Sequence, residues 1–143
     1  MSSVIPSLME ITKSVKLEHG WDATSTILSD PRFVIPRLFP VAKELTVNGS
    51  EFMGKGRYAM RDFELSGTVF KGVDIRYVFQ IKSGGIGTGK LVLTQNGDTL
   101  ILKFEYEGVF ERTFSLMSRD RWINGFLEKL NEEIRLERIK RKI

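Results

Sequence analysis

Apolar and polar residues alternate through much of the chain, and this period of two predicts a protein rich in half-buried β-strands. The first alternating stretch covers residues 9–17, where Lys13 interrupts an otherwise apolar phase. The clearest stretch covers residues 73–82, in which five apolar side chains face one side: Val73, Ile75, Tyr77, Phe79 and Ile81. Further strands are predicted at residues 43–48, 51–60, 63–70, 90–95 and 100–107. Those at 51–60 and 63–70 are either joined by a turn near Arg61-Asp62 or continuous as one bent strand.

Two short helices are predicted between the first strand and the second. Residues 21–28 form one helix. Asp30 as N-cap, with Pro31 at the first helical position, begins the other. Pro36 and Pro40 keep this second helix short, because proline cannot continue the hydrogen-bonding pattern.

The hydrophobic period changes near the end of the chain, where a long helix is predicted from about Ser118 as N-cap. Its apolar stripe consists of Trp122, Ile123, Phe126, Leu127, Leu130, Ile134 and Ile139. A helix of about 20–25 residues is roughly 30–38 Å long, enough to cross a whole sheet.

The dipeptide Asn96-Gly97 predicts a two-residue type I′ turn between two strands. That turn would place Leu93 opposite Leu100 and Leu91 opposite Leu102. The apolar phases of the two strands then coincide on one face, as a hairpin packed over a core requires.

The order of elements predicts an α+β protein with one domain over residues 1–143. A curved antiparallel sheet of about six or seven strands must be covered by the long helix, the only element large enough. The stretch Trp21-x5-Ile27-Leu28-Ser29-Asp30-Pro31-x6-Leu38-Phe39-Pro40, in this order of elements, resembles the helix-grip superfamily of START-related proteins, birch-pollen-allergen-like proteins and polyketide cyclases. The chain also resembles an uncharacterised family of thermoacidophilic archaea.

The resemblance implies an apolar cavity between the sheet and the long helix. The ligand-binding candidates are side chains of the apolar phases together with one lysine: Lys13, Phe39, Tyr58, Tyr77, Phe79, Phe104, Tyr106, Met117, Ile123, Phe126, Leu127 and Leu130. Lys13 is a candidate anchor for an acidic head group, with an amine that extends to the rim as the alternative. The tyrosines need partners for inward hydroxyls, and an ordinary aromatic core without a ligand explains the same pattern equally well.

A glycine-rich stretch at residues 83–89 is predicted to be a loop. Gly84 to Lys90 matches the start of a phosphate-binding P-loop, but Leu91 replaces the required Ser or Thr and a strand replaces the required helix. Nucleotide binding is therefore disfavoured. The resemblance instead implies a loop at the cavity mouth, which makes Gly84, Gly85, Gly87 and Gly89 a candidate gate.

Composition excludes several classes of site. The absence of cysteine excludes disulfide scaffolds, cysteine-based metal centres and cysteine catalysis. A single histidine, His19, has no partners for a catalytic triad, and no residues are spaced as metal ligands. We therefore expect neither a metal nor a cofactor, and we assign no catalytic residue.

The net charge of +4 hints at nucleic acid, but it is unevenly distributed. Four of the 22 basic residues fall within the last six positions, which contain no acid, so 18 basic residues face 18 acidic ones before them. The charge therefore marks a short helix end, and neither nucleic-acid binding nor a membrane-spanning segment is predicted.

The function expected from the sequence is binding or sequestration of a small hydrophobic or amphipathic, lipid-like molecule. One alternative is a cyclase- or aromatase-like enzyme of the same superfamily. The other is an accessory protein that acts through its surface, as the carbon monoxide dehydrogenase G subunit does. A cytoplasmic location is expected, and the oligomeric state is left open, with a dimer among the options.

Overall fold

The computed structural model describes residues 9–113 and 121–143. The strands are β1 Met9–Lys16, β2 Ala42–Asn48, β3 Glu51–Tyr58, β4 Arg61–Lys71, β5 Ile75–Lys82, β6 Ile86–Asn96 and β7 Thr99–Gly108. The helices are α1 Trp21–Leu28, α2 Pro31–Leu38 and α3 Trp122–Arg141. Ser118, the predicted N-cap of the long helix, lies outside the described residues.

The seven strands form one antiparallel sheet in the order β1-β7-β6-β5-β4-β3-β2. The inward side chains of the sheet and the apolar stripe of α3 as far as Ile134 belong to one hydrophobic core. The prediction that Ile139 continues this stripe is wrong, because α3 extends past the sheet there and Ile139 is 63% exposed. Ile134 and Leu130 of α3 are 0% and 1% exposed, so this stripe faces the core. The predicted α+β helix-grip fold is confirmed.

The segment between β1 and β2 forms the two predicted short helices. The Asp30 side chain accepts a hydrogen bond from the Arg32 backbone N–H at 2.9 Å, which caps α2 at its start. α2 ends at Leu38, just before Phe39 and Pro40. The cap and Pro40 act as predicted, but the prediction that Pro36 limits the helix is wrong, because Pro36 lies inside α2, two residues before its end.

Asn131 of α3 fastens the long helix to the end of β1. Its side chain donates to the Lys16 carbonyl at 2.8 Å and accepts from the Glu18 N–H at 2.9 Å. The His19 Nε2 lies 3.0 Å from the Asn131 carbonyl oxygen, so this nitrogen carries the proton. These bonds fix the direction in which α3 crosses the sheet.

Two predicted strand limits are wrong. Val73 is 95% exposed and precedes β5, which begins at Ile75. The predicted strand 51–60 ends earlier, at Tyr58, because Ala59 and Met60 form the turn to β4.

The predicted register of the β6–β7 hairpin is also wrong. Leu93 pairs with Leu102, because the turn residues are Gly97 and Asp98 rather than Asn96 and Gly97. Gly97, the first central residue, is the one with positive φ, as a type II′ turn requires. The shift is an even number of residues, so the apolar faces still coincide.

Glycines on the inner face of the sheet accommodate aromatic rings. A Cβ atom at Gly89 would overlap the Phe79 ring, and one at Gly87 would overlap the Tyr106 hydroxyl. Both glycines lie within β6, so the prediction of a loop through Gly87 and Gly89 is wrong. In this stretch glycine serves close packing rather than flexibility.

Candidate functional site

The predicted cavity residues in the described part of the chain, apart from Lys13, are at most 8% exposed. Several of these side chains contact one another. Phe79 stacks with Phe104 at 5.9 Å and with Tyr106 at 6.1 Å between ring centroids. Phe39 meets the edge of Phe79 at 5.3 Å. These rings therefore pack against one another in the core between the sheet and α3. Met117, another candidate, lies outside the described residues.

Two of the three candidate tyrosines place their hydroxyls against backbone carbonyls. Tyr77 donates to the Leu28 carbonyl at 2.7 Å, which ties the sheet to α1, and Tyr106 donates to the Val109 carbonyl. Burial, followed by the charge of Asp30, raises the pKa of Tyr77 far above its usual range. Burial, followed by the charge of Glu111, does the same to the pKa of Tyr106. Both side chains are therefore neutral structural groups at ordinary pH.

Lys13 lies on β1, a strand at the edge of the sheet, opposite Leu102 of β7. It shares the inward phase with Ile11 and is partly exposed. This position is consistent with a stem that packs on apolar neighbours and an amine at the rim.

The aromatic core reaches the surface at one end of the molecule. Tyr58 at the end of β3 lies 5.1 Å from Trp122 and 5.5 Å from Phe110 between ring centroids. Trp122, at the start of α3, also meets Phe39 at 6.0 Å. We call this end, formed by Phe39, Tyr58, Phe110 and Trp122, the open end.

Backbone strain is concentrated at the open end. Ala59 and Met60, the two turn residues between β3 and β4, have φ values of 52° and 64°. Phe110 has a φ of 69°. These left-handed conformations disfavour residues that carry a Cβ, and such strain is found preferentially at ligand clamps and active sites. Met60 is also 86% exposed, so its side chain is not part of the core.

A groove of about 300 Å³ lies beside the open end, between α2 and the first half of α3. The apolar residues that line it are Pro36, Pro40, Trp122, Phe126 and Leu130. The charged residues are Arg37, Arg121, Lys129 and Glu133. Of these nine, Phe126 and Leu130 are among the predicted ligand-binding residues. Trp122 was placed in the helical stripe but not among the ligand-binding residues. The prolines and the charged residues were missed because they carry no periodic signal.

The charges of the described residues around the groove do not balance. Arg37 pairs with Glu133 at 3.2 Å and donates to the Phe33 carbonyl at 3.0 Å, with its guanidinium 4.0 Å above the Phe33 ring. Arg121 and Lys129 are exposed. Among the described lining residues, one carboxylate faces three cations, so this part of the groove combines an apolar floor with a positive rim.

The predicted gate is only partly a loop. Gly84, with a φ of 70°, and Gly85 lie in the turn between β5 and β6. Arg61 donates to the Ser83 carbonyl at 2.7 Å and so ties this turn to the β3–β4 hairpin. Gly84 and Gly85 thus lie in a loop as predicted, whereas Gly87 and Gly89 lie in a strand.

Larger depressions lie on the outer face of the sheet. One of about 670 Å³ is lined mostly by short uncharged side chains such as Ser66, Thr68 and Thr88. Another of about 600 Å³ is lined by charges of both signs, among them Lys55, Glu64 and Lys82. The first has one carboxylate, Glu51, beside Phe52 and Phe79. The second has four cations against three carboxylates beside Phe63. Neither has the excess of two cations found at the groove, so we place the candidate site there.

Within residues 9–113 and 121–143, no group of three or more His, Asp or Glu side chains is placed to hold a metal ion. The same residues contain no helix that is both long and apolar enough to span a membrane.

Comparison with known proteins yields a family and a set of similar folds. A protein-family model matches residues 9–143. A hypothetical protein from Sulfolobus tokodaii superposes with a TM-score of 0.76 and 27% identity, over 93% of this chain and 99% of that one. A conserved protein from Geobacillus kaustophilus gives 0.66 and 14%, over 90% and 97%. Norcoclaurine synthase from Thalictrum flavum gives 0.55 and 14%, over 93% and 87%. No curated protein matches the sequence.

Proposed function

Because the chain belongs to the helix-grip superfamily, we propose that it binds a small amphipathic molecule with an apolar body and an anionic end. The single observation that carries this proposal is the groove between α2 and α3, where aromatic side chains and an excess of cations meet. A site for an amphiphile needs both features in one place.

The apolar body of the ligand would lie on the floor of the groove. Phe126 and Leu130 are 5% and 1% exposed and form its rigid part. Trp122 is half-buried and stands between the groove and Phe39. Through Trp122 the groove borders the aromatic core between sheet and helix, where the sequence predicted the ligand.

The anionic end would lie at the rim. Arg121 and Lys129 supply two cations at the surface, and Arg37 is held in place by Glu133 and the Phe33 carbonyl. The volume of about 300 Å³ is at the lower end of the range for ligand sites, which favours a single short chain or a small ring system.

The arrangement of polar groups supports binding rather than catalysis. The hydroxyls of Tyr77 and Tyr106 are each engaged by a backbone carbonyl, and His19 is engaged by Asn131 of α3. General acid–base chemistry requires such groups to converge on a substrate. Among the described residues, no observation favours the enzyme alternative.

The test compares decanoate with decanol, which share an apolar chain but differ in charge, by isothermal titration calorimetry. We expect saturable one-to-one binding of decanoate and weaker binding of decanol. The double variant R121Q/K129Q is expected to weaken decanoate binding about tenfold, because each partly solvated charge pair contributes up to about 1 kcal/mol.

The matched control is K55Q/K82Q, which removes two exposed cations from the outer face of the sheet. It should leave decanoate affinity within about twofold of the wild type, because cations beyond a Debye length of about 10 Å are screened. Equal affinities for decanoate and decanol would contradict the anionic end. Absence of saturable binding for both would contradict the function.

A further inference from the structure

The last two turns of α3 expose aliphatic side chains to solvent on the side opposite the core. Leu136 is 49% exposed, Ile139 63% and Ile143 50%. Leu136 and Ile139 are three residues apart and lie on one face of the helix, and Ile143 follows the helix end at Arg141. The core-facing residue Ile134 is fully buried, so these three side chains form an outward stripe that the packing of the domain does not explain.

The position of Ile143 is set by the end of the helix. The Ile143 N–H donates to the Arg138 carbonyl at 3.1 Å, and the Lys142 N–H donates to the Ile139 carbonyl at 3.3 Å. Lys142 has a φ of 61°. This is a Schellman cap, which normally has glycine at the left-handed position. The left-handed residue redirects the chain after the helix, and the bond to the Arg138 carbonyl holds Ile143 beside the last turn.

Cations surround the outward stripe, and they differ in their partners. Arg135 pairs with Glu132, and Arg141 pairs with Asp30 and Glu137, each at 2.6 Å. Arg138 donates to the Ile143 carbonyl oxygen at 3.3 Å and forms no ion pair with a described Asp or Glu side chain. Lys140 and Lys142 form no ion pair within the described part of the chain, so their charges are available to an external anion.

A depression of about 360 Å³ adjoins the stripe and is lined by His19, Arg135, Arg138, Ile139, Lys142 and Ile143. The Arg138 Nη1 lies 3.2 Å from the Nδ1 of His19. Since the Nε2 of His19 carries the proton, Nδ1 accepts from Arg138 and orients the guanidinium. The depression thus presents fixed and flexible cations next to exposed aliphatic side chains.

We propose that the C-terminal end of α3 docks on an anionic lipid surface. Leu136, Ile139 and Ile143 would enter the boundary between head groups and acyl chains. Arg138, Lys140 and Lys142 would contact lipid phosphates. An outward apolar stripe flanked by Lys and Arg is the pattern of interfacial helices.

Charge complementarity selects this occupant over a second copy of the chain. Two such ends in contact would bring like charges together, which destabilises an interface. A protein partner with an acidic groove is the other possible occupant, and competition between vesicles and polyglutamate distinguishes the two. Short aliphatic anchors without an aromatic residue match a fluid surface better than a packed pocket, since protein hot spots are enriched in Trp, Tyr and Arg.

The experiment measures sedimentation of the full chain with phosphatidylcholine vesicles, with or without about 30 mol % phosphatidylglycerol. We expect binding only to the anionic vesicles at about 0.1 M salt and its loss at about 0.5 M, where screening is strong. K140Q/K142Q should lower the partition coefficient about 20-fold, at about fivefold per cation. I139S should lower it about tenfold.

Matched controls distinguish an effect of the C-terminal end of α3 from a general effect of losing cations or apolar side chains. K55Q/K82Q removes two exposed cations elsewhere, and V73S removes an exposed aliphatic side chain from the β4–β5 turn. Both should bind vesicles as the wild type does, and circular dichroism should show that every variant is folded.

Three outcomes would overturn the proposal. The first is equal binding to neutral and anionic vesicles. The second is complete inhibition by millimolar glycerol phosphate, which would indicate a site for a free phosphate. The third is binding to polyglutamate but not to vesicles, which would indicate an acidic protein partner.

Discussion

The β3–β4 and β6–β7 hairpins both have turns of two residues, but the two turns differ in how well their residues suit the backbone conformation. The β6–β7 turn has Gly97 at the position of positive φ, and its strands carry leucines that are fully buried. The β3–β4 turn has Ala59 and Met60, both with positive φ and neither a glycine nor an asparagine. The first hairpin has the residues that its geometry favours, whereas the second does not.

The difference separates the part of the molecule that maintains the fold from the part that is available for binding. The strained turn follows Tyr58, which contacts Trp122 and Phe110 at the open end. The relaxed turn lies beyond the β6–β7 leucines, where the Asp98 carbonyl accepts a hydrogen bond from the Leu17 N–H at 2.6 Å. We expect changes near the core hairpin to alter stability and changes at the open end to alter ligand binding.

The largest expected effect is that of alkaline pH on the buried tyrosines. The folded-state pKa values of Tyr77 and Tyr106 are raised above the unfolded value of about 10. The neutral forms therefore stabilise the fold below pH 10, and this contribution is lost as the pH rises. Each tyrosine should lower the free energy of unfolding by about 1.4 kcal/mol per pH unit above pH 10.

Denaturant titrations between pH 8 and 11 measure this slope, and Tyr77→Phe provides the control. The variant should lose about half of the slope. It should also lose about 1–3 kcal/mol at neutral pH, because the buried Leu28 carbonyl loses its donor. An unchanged slope in the variant would contradict the burial of the Tyr77 hydroxyl.

The next effect concerns the two kinds of glycine in the stretch 83–89. Gly89→Ala should lower the free energy of unfolding by about 1–3 kcal/mol, because its Cβ would overlap the buried Phe79 ring. Gly85→Ala is the matched control, since its nearest neighbour, a Val109 side-chain atom, is 3.8 Å away. It should change stability by less than about 0.5 kcal/mol. Similar effects of both substitutions in urea denaturation would show that the stretch is a loop after all.

The smallest effect tests the two turns directly. Met60→Gly should raise the free energy of unfolding by up to about 1 kcal/mol, because glycine adopts positive φ without strain. Gly97→Ala should lower it by a similar amount. Thermal denaturation of the two variants measures both changes in the free energy of unfolding. The opposite sign for Met60→Gly would show that the turn is not strained.

The fold follows from sequence where a local signal and the tertiary contacts agree. The Asp30-Pro31 cap and the alternation in β5 and β7 specify their elements almost to the residue. The β3–β4 turn could not be located, because Ala59 and Met60 carry no turn signal and tertiary contacts hold them in place. Gly87 and Gly89 were misassigned, since a glycine that accommodates a ring is indistinguishable by composition from one in a loop.

The candidate site was predictable in its apolar half only. Phe126 and Leu130 follow the helical period, so sequence places them on the buried face. Arg37 and Lys129 lie 92 positions apart and meet at one groove because α2 crosses α3. No pattern within either helix indicates that crossing.

Chemical-shift mapping of decanoate binding by two-dimensional ¹H–¹⁵N NMR tests the central claim most directly. The account predicts that saturable shifts concentrate on the Trp122 indole N–H and on the amides of Trp122, Gly125 and Lys129, which line the groove. Signals of Ser66, Thr68 and Thr88 on the outer face should stay in place. Shifts centred on the outer face, or the absence of saturable shifts, would contradict the account.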